Sequence, residues 1–366
     1  MTPIDHVSRV ERLTLRLADG PLGNGCDALL FLDLTDVRWL TGFTGSNGWV
    51  VVTADGVTLG TDGRYGDRAR AETASIAATV IVEQHAPRLH QRLVDTLSGN
   101  SAVALDASTT SHSSWARLAC EVALEPTGSL VKLQRQIKDE AEIARIESAA
   151  RAADAALADV EPMLMDAVDH PLSEHDVRTE LEYRMRLHGA DDRSYDTIVA
   201  SGTEHAARPH HSASRRTIVE GDTVIIDVGA LLDGYHSDMT RSWVIGDPTE
   251  QQREIYGLVV AAQRAGLEAV AAGVAAKSVD DACRRVFDEA GYLDWYLHGT
   301  GHGVGLDIHE LPFHSQTSDD VLAAGMVVTV EPGLYRGGFG GFRIEDLVVV
   351  TESGHRVLTH SPKREL

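Results

Sequence analysis

Short apolar runs bounded by turn residues dominate the first third of the chain. Runs of this kind are typical of buried strands. They predict strands at 28–32, 49–52, 56–60, 80–82 and 102–105. Helical stretches separate several of these runs, and strands that alternate with helices favour a βαβ-type layer. The glycine-rich segment 42–48 is predicted to be a loop, and no Gly-Lys-Ser/Thr follows it to make a phosphate-binding motif.

The apolar pattern changes to a helical period after residue 130. Apolar residues from Leu133 and Ile137 onward recur on one face, which predicts a helix over 133–160. A capping-box pattern at Ser173 predicts a second helix that ends at Gly189. Further helices are predicted over 250–272 and from Ser278 to Gly291. We therefore expect two domains, residues 1–130 and residues 131–366.

Two β-hairpins are predicted between these later helices. The first joins 223–228 to 236–245 through the Asp233-Gly234 turn. The second joins 326–330 to 342–350 through the glycine-rich segment 337–341. An antiparallel sheet covered by helices is an α+β arrangement, which is the fold class that we expect for the second domain.

The charge of the chain narrows the classes of partner. Its 33 basic and 55 acidic residues give a net charge of −22. Nucleic acids and anionic membranes require clustered Lys and Arg, so a cationic partner such as a divalent metal or a free amino terminus fits better. Its 3 cysteines are widely separated and imply no disulfide framework. Because neither a secretory apolar segment nor a run of about 18 apolar residues is present, we expect a cytoplasmic protein.

The first predicted hairpin contains two carboxylates. Asp227 interrupts an apolar strand, and burying a lone carboxylate is costly unless a cation lies beside it. A two-residue turn at 233–234 places Asp227 opposite residue 240, with Asp238 diagonal on the same face. A tighter register places Asp227 directly opposite Asp238. Both registers bring the two carboxylates together, and only the odd register between them would separate the two faces.

The second predicted hairpin repeats this arrangement. Glu331 ends one strand and Glu345 lies on the other, so a loop centred on Gly338 places them opposite each other. Four converging carboxylates would carry a charge of −4 and repel one another. Two divalent cations would neutralise that charge, whereas one would leave −2. The pattern therefore favours a site for two metal ions.

A histidine-rich segment offers further ligands. His298, His302 and His309 are separated by glycines, which allow the backbone to approach a metal or a substrate closely. One imidazole can complete an oxygen-rich site and leave the others as acid–base groups or substrate contacts. His210 and His211 follow Pro209, and by itself that pair is typical of a loop. Such a donor set suits Mn²⁺ and tolerates Co²⁺, Fe²⁺ or Zn²⁺.

These segments together resemble a known family. The stretches 225–229, 233–241, 298–310, 330–335 and 343–346 resemble the creatinase/methionine-aminopeptidase (M24) metallopeptidases. The nearest branch is that of the Xaa-Pro aminopeptidases and Xaa-Pro dipeptidases (prolidases). The resemblance implies a C-terminal pita-bread fold with a smaller α/β creatinase-type N-terminal domain. It implies that the metal ligands are Asp227, Asp238, His302, Glu331 and Glu345.

The resemblance also implies roles for the remaining site residues. His309 would hydrogen-bond the scissile carbonyl, His210 would lie near the leaving nitrogen, and Glu331 would accept a proton from a metal-bridging water. Three further residues match positions of the proline pocket, namely His298, Tyr335 and Arg343. The implied substrates are peptides with proline in the second position, and the implied assembly is a homodimer.

Other functions are compatible with parts of this pattern. A methionine-type or broad aminopeptidase shares the metal ligands, but it usually lacks the long N-terminal domain. A non-catalytic pita-bread protein that binds peptides would be expected to lack one or more metal ligands. A creatinase-like amidinohydrolase needs no metal, which the five intact ligands oppose. The sequence leaves open whether dipeptides or longer peptides are preferred. The segment 201–205 departs from the commoner Ser-Gly-x-Asn type, which leaves substrate contacts there undefined.

Overall fold

The computed structural model describes residues 1–20, 25–128 and 130–366. These residues divide into two compact units, residues 2–135 and residues 136–366. No helix within the described ranges is both long and apolar enough to cross a membrane.

The first unit consists of helices on a mixed sheet. Its helices are α1 (His6–Ala18), α2 (Leu34–Thr41), α3 (Gly66–Glu72), α4 (Ala86–Leu97), α5 (His112–Ala119) and α6 (Leu130–Arg135). Its strands are β1 (Ala28–Phe31), β2 (Gly48–Thr53), β3 (Gly56–Asp62), β4 (Thr79–Glu83), β5 (Val103–Asp106) and β6 (Leu124–Thr127). Described strands of this unit form one sheet in the order β4-β3-β2-β1-β5-β6.

The five strands predicted for this unit are all present, and β6 is an additional edge strand. Sequence reasoning missed β6 because Pro126 interrupts a short polar segment, and proline is tolerated only at sheet edges or bulges. Helix α4 covers the sheet with Leu89, Leu93 and Leu97, which are four residues apart and buried in the same core.

The second unit consists of antiparallel sheets covered by paired helices. Its helices are α7 (Glu140–Met165), α8 (Glu174–Leu187), α9 (Gly202–His205), α10 (Glu250–Glu268) and α11 (Ala276–Glu289). Its first strands are β7 (Asp192–Arg193), β8 (Ile198–Ser201), β9 (Thr223–Asp227), β10 (Ala230–Leu232), β11 (Tyr235–His236) and β12 (Thr240–Val244). The later strands are β13 (Gly301–Gly303), β14 (Glu310–His314), β15 (Val327–Val330), β16 (Gly333–Arg336), β17 (Gly340–Arg343), β18 (Asp346–Thr351) and β19 (Gly354–Val357).

Each helix pair covers its own part of the core. Helices α7 and α8 pack together over β9 and β12, and α10 and α11 pack together over β15 and β18. The described sheets have the orders β12-β9-β8, β11-β10-β7, β14-β13-β15-β18-β19 and β16-β17. Their pairings are antiparallel, so the predicted α+β class of this unit is confirmed.

The single helix predicted over 133–160 is wrong at its start. The chain leaves α6 at Arg135 and begins α7 at Glu140, and Leu133 and Ile137 are exposed. Asp139 and Glu142 form a reciprocal capping box at the start of α7, and this polar signal overrides the apolar period before it. The predicted helix near 278 likewise begins earlier, at Ala276, and the one predicted over 250–272 ends at Glu268.

Both predicted hairpins are present with the expected pairing. Asp227 pairs with Thr240 across β9 and β12, which is the register set by the two-residue turn at Asp233-Gly234. In the second hairpin Val330 pairs with Asp346 and Gly333 pairs with Arg343, so Glu331 and Glu345 face each other between these pairs. The sheets thus direct the four carboxylates toward one place.

A close contact between α10 and the strand that precedes Glu331 gives a stability prediction. A Cβ atom on Gly266 would lie 2.6 Å from Cys283 Sγ and 2.7 Å from Val330 Cγ1. Gly266→Ala should therefore lower the free energy of unfolding by about 1–3 kcal/mol, because overpacking outweighs the better helix propensity of alanine. Gly257 lies on the same helix with open space around it, so Gly257→Ala should raise that free energy by about 0.5–1 kcal/mol. Urea titration of both variants tests this, and equal gains for both would contradict the contact.

Candidate active site

A cavity of about 300 Å³ lies in the second unit, where the two hairpins meet the histidine-rich segment. The lining residues come from several strands and from the loops between them. They are Tyr195, Asp196, Ile198, Pro209, His210, Asp227, Asp238, His298, His302, Ile308, His309, Glu331, Arg343 and Glu345. The structure thus brings nine of the ten predicted site residues to the wall of one cavity, and Tyr335 is the exception.

The predicted metal ligands lie on strands or within two residues of a strand end. Asp227 ends β9, Asp238 precedes β12, His302 lies on β13, and Glu331 and Glu345 flank the β16–β17 hairpin. Ligand atoms of Asp238, His302 and Glu345 all lie within 4.8 Å of one another. His302 Nε2 is 3.5 Å from Asp238 Oδ2 and 3.5 Å from Glu331 Oε1. One imidazole therefore completes a set of carboxylate oxygens.

The electrostatics of these carboxylates fit divalent cations. Burial and neighbouring carboxylates raise the pKa of Asp238 and Glu345 well above their usual values, and they raise the pKa of Glu331 to about 8. The four carboxyl groups lie close together, and Arg343 is the guanidinium group that pairs with Asp227 and Glu331. If all four carboxyl groups were ionised, their negative charge would exceed the single positive charge of Arg343. Without cations, the raised pKa values mean that these carboxyl groups tend to keep their protons. Bound divalent cations would lower these pKa values, so that all of the carboxylates ionise.

His302 has the protonation that a metal ligand requires. Burial lowers the pKa of His302 to about 4, so its imidazole is neutral at pH 7. Nδ1 lies 3.0 Å from the carbonyl oxygen of Gly303 and donates its hydrogen there. Nε2 is then left with a free lone pair directed at Asp238 and Glu331.

Tyr195 is a site residue that sequence reasoning missed. Its hydroxyl oxygen lies within hydrogen-bond distance of carboxylate oxygens of both Asp227 and Asp238, which share its single hydrogen. Burial, followed by the charges of these two aspartates, raises the pKa of the phenol well above its usual value, so the hydroxyl keeps its proton. Tyr195 lies in the loop between β7 and β8, and no motif in the sequence marks it.

Arg343 lines the cavity, but most of its guanidinium donors bind other protein groups. The Arg343 guanidinium donates to Asp227 Oδ2 at 2.6 Å, to Thr240 Oγ1 at 3.0 Å and to the carbonyl oxygen of Pro209 at 2.8 Å. A fourth N–H donates to the Tyr335 hydroxyl at 2.9 Å, so protein groups take four of the five guanidinium donors. Arg343 is therefore placed to hold protein groups around the cavity.

Tyr335 lies one layer behind the cavity and connects two of its lining residues. It is buried, and its hydroxyl lies 2.9 Å from His298 Nε2 as well as 2.9 Å from Arg343. Burial lowers the pKa of His298 to about 4 and raises that of Tyr335 to about 12, so both groups are neutral at pH 7. Tyr335 thus orients His298 from behind.

His309 and His210 both line the cavity, and neither belongs to the ligand group around His302. The rings of His302 and His309 lie 4.4 Å apart between centroids at an interplanar angle of 65°. His309 is exposed, in contrast to buried His302. His210 is also exposed and follows Pro209, whose carbonyl is bound by Arg343. Both imidazoles can therefore reach a molecule bound in the cavity.

Comparisons with known proteins agree with this geometry. The model of metallopeptidase family M24 matches residues 144–352, and that of the creatinase/prolidase N-terminal domain matches residues 9–137. A Xaa-Pro dipeptidase of Pyrococcus horikoshii is 34% identical over 346 residues, which cover 94% of this chain and 95% of the relative. The solved structure of a Xaa-Pro dipeptidase from Bacillus anthracis aligns with a TM-score of 0.91, 35% identity and 99% coverage of both chains. An X-Pro aminopeptidase from Thermotoga maritima aligns with a TM-score of 0.85 and 32% identity, covering 96% of this chain and 98% of that one.

Proposed function

This chain belongs to metallopeptidase family M24, and we propose that it hydrolyses the Xaa-Pro bond at the amino terminus of peptides or in dipeptides. The observation that carries the proposal is a single cavity whose wall holds the five assigned metal ligands together with the exposed imidazoles of His210 and His309. The relatives named above act on Xaa-Pro substrates, and they match nearly the whole chain.

The ligand set supports a centre for two divalent cations. We assign to it Asp227, Asp238, His302, Glu331 and Glu345. Because the donors are mostly carboxylate oxygens with one imidazole, Mn²⁺ fits best, with Co²⁺, Zn²⁺ or Fe²⁺ as alternatives. Such a pair of cations, when bound, supplies an activated water and a polarised carbonyl group. Tyr195 and Arg343 hold Asp227 in place for this role.

Three residues of the chain would handle protons and the developing charge. Glu331 accepts a proton from the attacking water and passes it to the departing proline nitrogen. His309 donates a hydrogen bond to the carbonyl oxygen as negative charge develops there. His210 contacts the substrate near the leaving nitrogen, on the side of the cavity where Arg343 holds Pro209.

The proline ring would occupy the part of the cavity beside His298. That imidazole is held by the Tyr335 hydroxyl, and Tyr335 in turn is bound by Arg343, so this wall is rigid. A rigid wall suits proline, because the pyrrolidine ring fixes φ near −65° and loses little entropy on binding. A cytoplasmic homodimer stays a prediction from the sequence.

Proline selectivity is the direct test of this function. With Mn²⁺ present, kcat/KM for Ala-Pro should exceed that for Ala-Ala by about 10- to 200-fold, the range that a shaped apolar pocket supplies. Ala-Pro-Ala, measured in parallel, decides between dipeptides and longer peptides. Equal kcat/KM for Ala-Pro and Ala-Ala would reject the proposal and favour a broad aminopeptidase, and faster cleavage of Met-Ala would favour a methionine-type enzyme.

A further inference from the structure

A second group of acidic and imidazole side chains lies in the same unit, centred on Glu174. We call it the Glu174 cluster, and its members are Glu174, Ser201, His205, His211 and Ser214. Glu174 is the first residue of α8, directly after the capping residue Ser173, and its side chain is fully buried. The capping box that begins the helix therefore also fixes where this carboxylate lies.

Both oxygens of Glu174 accept several hydrogen bonds from described residues. Oε1 accepts from the backbone N–H and the hydroxyl of Ser201 and from His205 Nδ1, each at 2.8 Å. Oε2 accepts from Ser214 N at 3.0 Å, from Ser214 Oγ at 2.7 Å and from His211 Nε2 at 3.2 Å. The rings of His205 and His211 are stacked, with centroids 3.9 Å apart.

These contacts indicate a structural anchor and not a metal site. A carboxylate offers about four lone-pair positions, and six donors already occupy them. Burial raises the pKa of Glu174, but the hydrogen bonds from Ser214, His205 and Ser201 outweigh burial, so the pKa lies below its usual value. The group is therefore an ionised carboxylate whose charge is met by hydrogen bonds from two separate stretches of the chain, 201–205 and 211–214.

The segment held by this anchor carries two groups of the active site. Ser201 and His205 lie at one end of the segment, and His211 and Ser214 lie at the other. Between them, Pro209 presents its carbonyl to Arg343 at 2.8 Å, and His210 lines the cavity. Residues 207–214 belong to neither a helix nor a strand, so side-chain contacts at their two ends largely determine their path.

We propose that Glu174 is a positioning residue for the reaction, which it serves by fixing both ends of the 205–214 segment so that His210 faces the substrate. This inference rests on the proposed function, because it assumes that His210 contacts the substrate. It gives His211, the second histidine of the Pro209-His210-His211 motif, a role as an anchor of its neighbour.

A double-mutant cycle tests this positioning role. Glu174→Gln keeps the size of the side chain, but its amide nitrogen opposes the donors that Glu174 accepts. We expect kcat for Ala-Pro to fall about 10- to 100-fold in the native chain, as misplacement of a catalytic group does. In a chain that already carries His210→Ala, the same substitution should cost less than about 3-fold, because the group that it positions is gone. Bound metal, measured by elemental analysis, should stay at the native value.

A matched control separates positioning from a general loss of stability. Glu161 is a partly buried glutamate of the same unit, and it accepts hydrogen bonds from Trp243 and Arg364 beside a different cavity. Glu161→Gln should have the same effect on kcat with and without His210→Ala. If Glu174→Gln does not fold, Ser214→Ala removes one donor while leaving the carboxylate, and it should show the same dependence on His210 with a smaller loss.

The outcomes distinguish the two proposals. If the native chain with Mn²⁺ does not cleave Ala-Pro, the proposed function fails. If it cleaves Ala-Pro but the effects of Glu174→Gln and His210→Ala simply multiply, Glu174 is only structural and the positioning role is overturned. Loss of a bound metal ion from Glu174→Gln would likewise overturn the role, because the cluster would then be a ligand set.

Discussion

Replacing Glu345 by glutamine should lower kcat for Xaa-Pro substrates by about 10³-fold or more and reduce bound metal below two ions per chain. Glu345 is buried, Thr240 donates to one of its oxygens at 2.7 Å, and a carboxylate oxygen of Glu345 lies within 4.8 Å of ligand atoms of Asp238 and His302. A neutral amide there weakens cation binding, because ionised oxygens are the ligands that such cations prefer. The loss should equal or exceed that of one transition-state donor, about 10²–10³.

The same variant should behave in opposite ways with and without metal. Burial and the neighbouring Asp238 and Glu331 raise the pKa of Glu345, so glutamine resembles the protonated side chain of the metal-free protein. Without metal, Glu345→Gln should therefore not lower the melting temperature. With Mn²⁺ it should melt below the native chain, which gains about 2.7 kcal/mol when metal is present at 100 times its Kd.

Controls for this prediction use metal removal and a surface glutamate. Chelation of the native chain should abolish activity, and Mn²⁺ or Co²⁺ should restore it. Glu352→Gln makes the same chemical change at an exposed position and should leave both metal content and activity unchanged. Full activity in a sample shown by elemental analysis to be free of metal would contradict the assigned centre.

His309→Ala should lower kcat about 10²- to 10³-fold without changing the metal content. His309 lines the cavity and is exposed to it, whereas the imidazole directed at the carboxylates is that of His302. In its proposed role, His309 donates to the charge that develops on the carbonyl oxygen, so His309→Ala would remove this donor and leave the proposed metal ligands in place. The loss should therefore fall on kcat more than on KM.

His302→Ala is the matched variant for this assignment, since the two rings lie 4.4 Å apart. His302→Ala should lose bound metal, whereas His309→Ala should keep it. If His309→Ala also loses a metal ion, His309 is a ligand and its assignment to the transition state is wrong.

Local pattern was sufficient to predict the hairpins that position the carboxylates. The Asp233-Gly234 turn fixes the pairing of β9 with β12, and side chains alternate between faces with period two. Asp227 and Asp238 were therefore expected on one face, and Glu331 and Glu345 followed from the same parity in the second hairpin. These features depend on residues that are close in sequence.

Features that depend on distant residues could not be read from local pattern. Tyr195 binds Asp227 and Asp238 from a loop more than thirty positions away, and nothing around it marks a partner. Tyr335 was expected on the pocket wall, but the depth of a side chain depends on the strands packed around it. The break before α7 was different, because the capping box of Asp139 and Glu142 is a local signal that starts the helix, whereas the prediction followed the apolar period.

The pairing of the two carboxylate hairpins determines where this unit tolerates changes in chain length. Residues inserted at the tips, 233–234 or 337–339, leave the strand pairs below them unaltered, so peptide tags or natural insertions can be accommodated there. A single residue gained or lost between a tip and its carboxylate would instead turn that side chain to the opposite face of the sheet. Only insertions or deletions of two residues keep the carboxylate on its original face of the sheet. Functional variants should therefore differ in the length of these short stretches by an even number of residues.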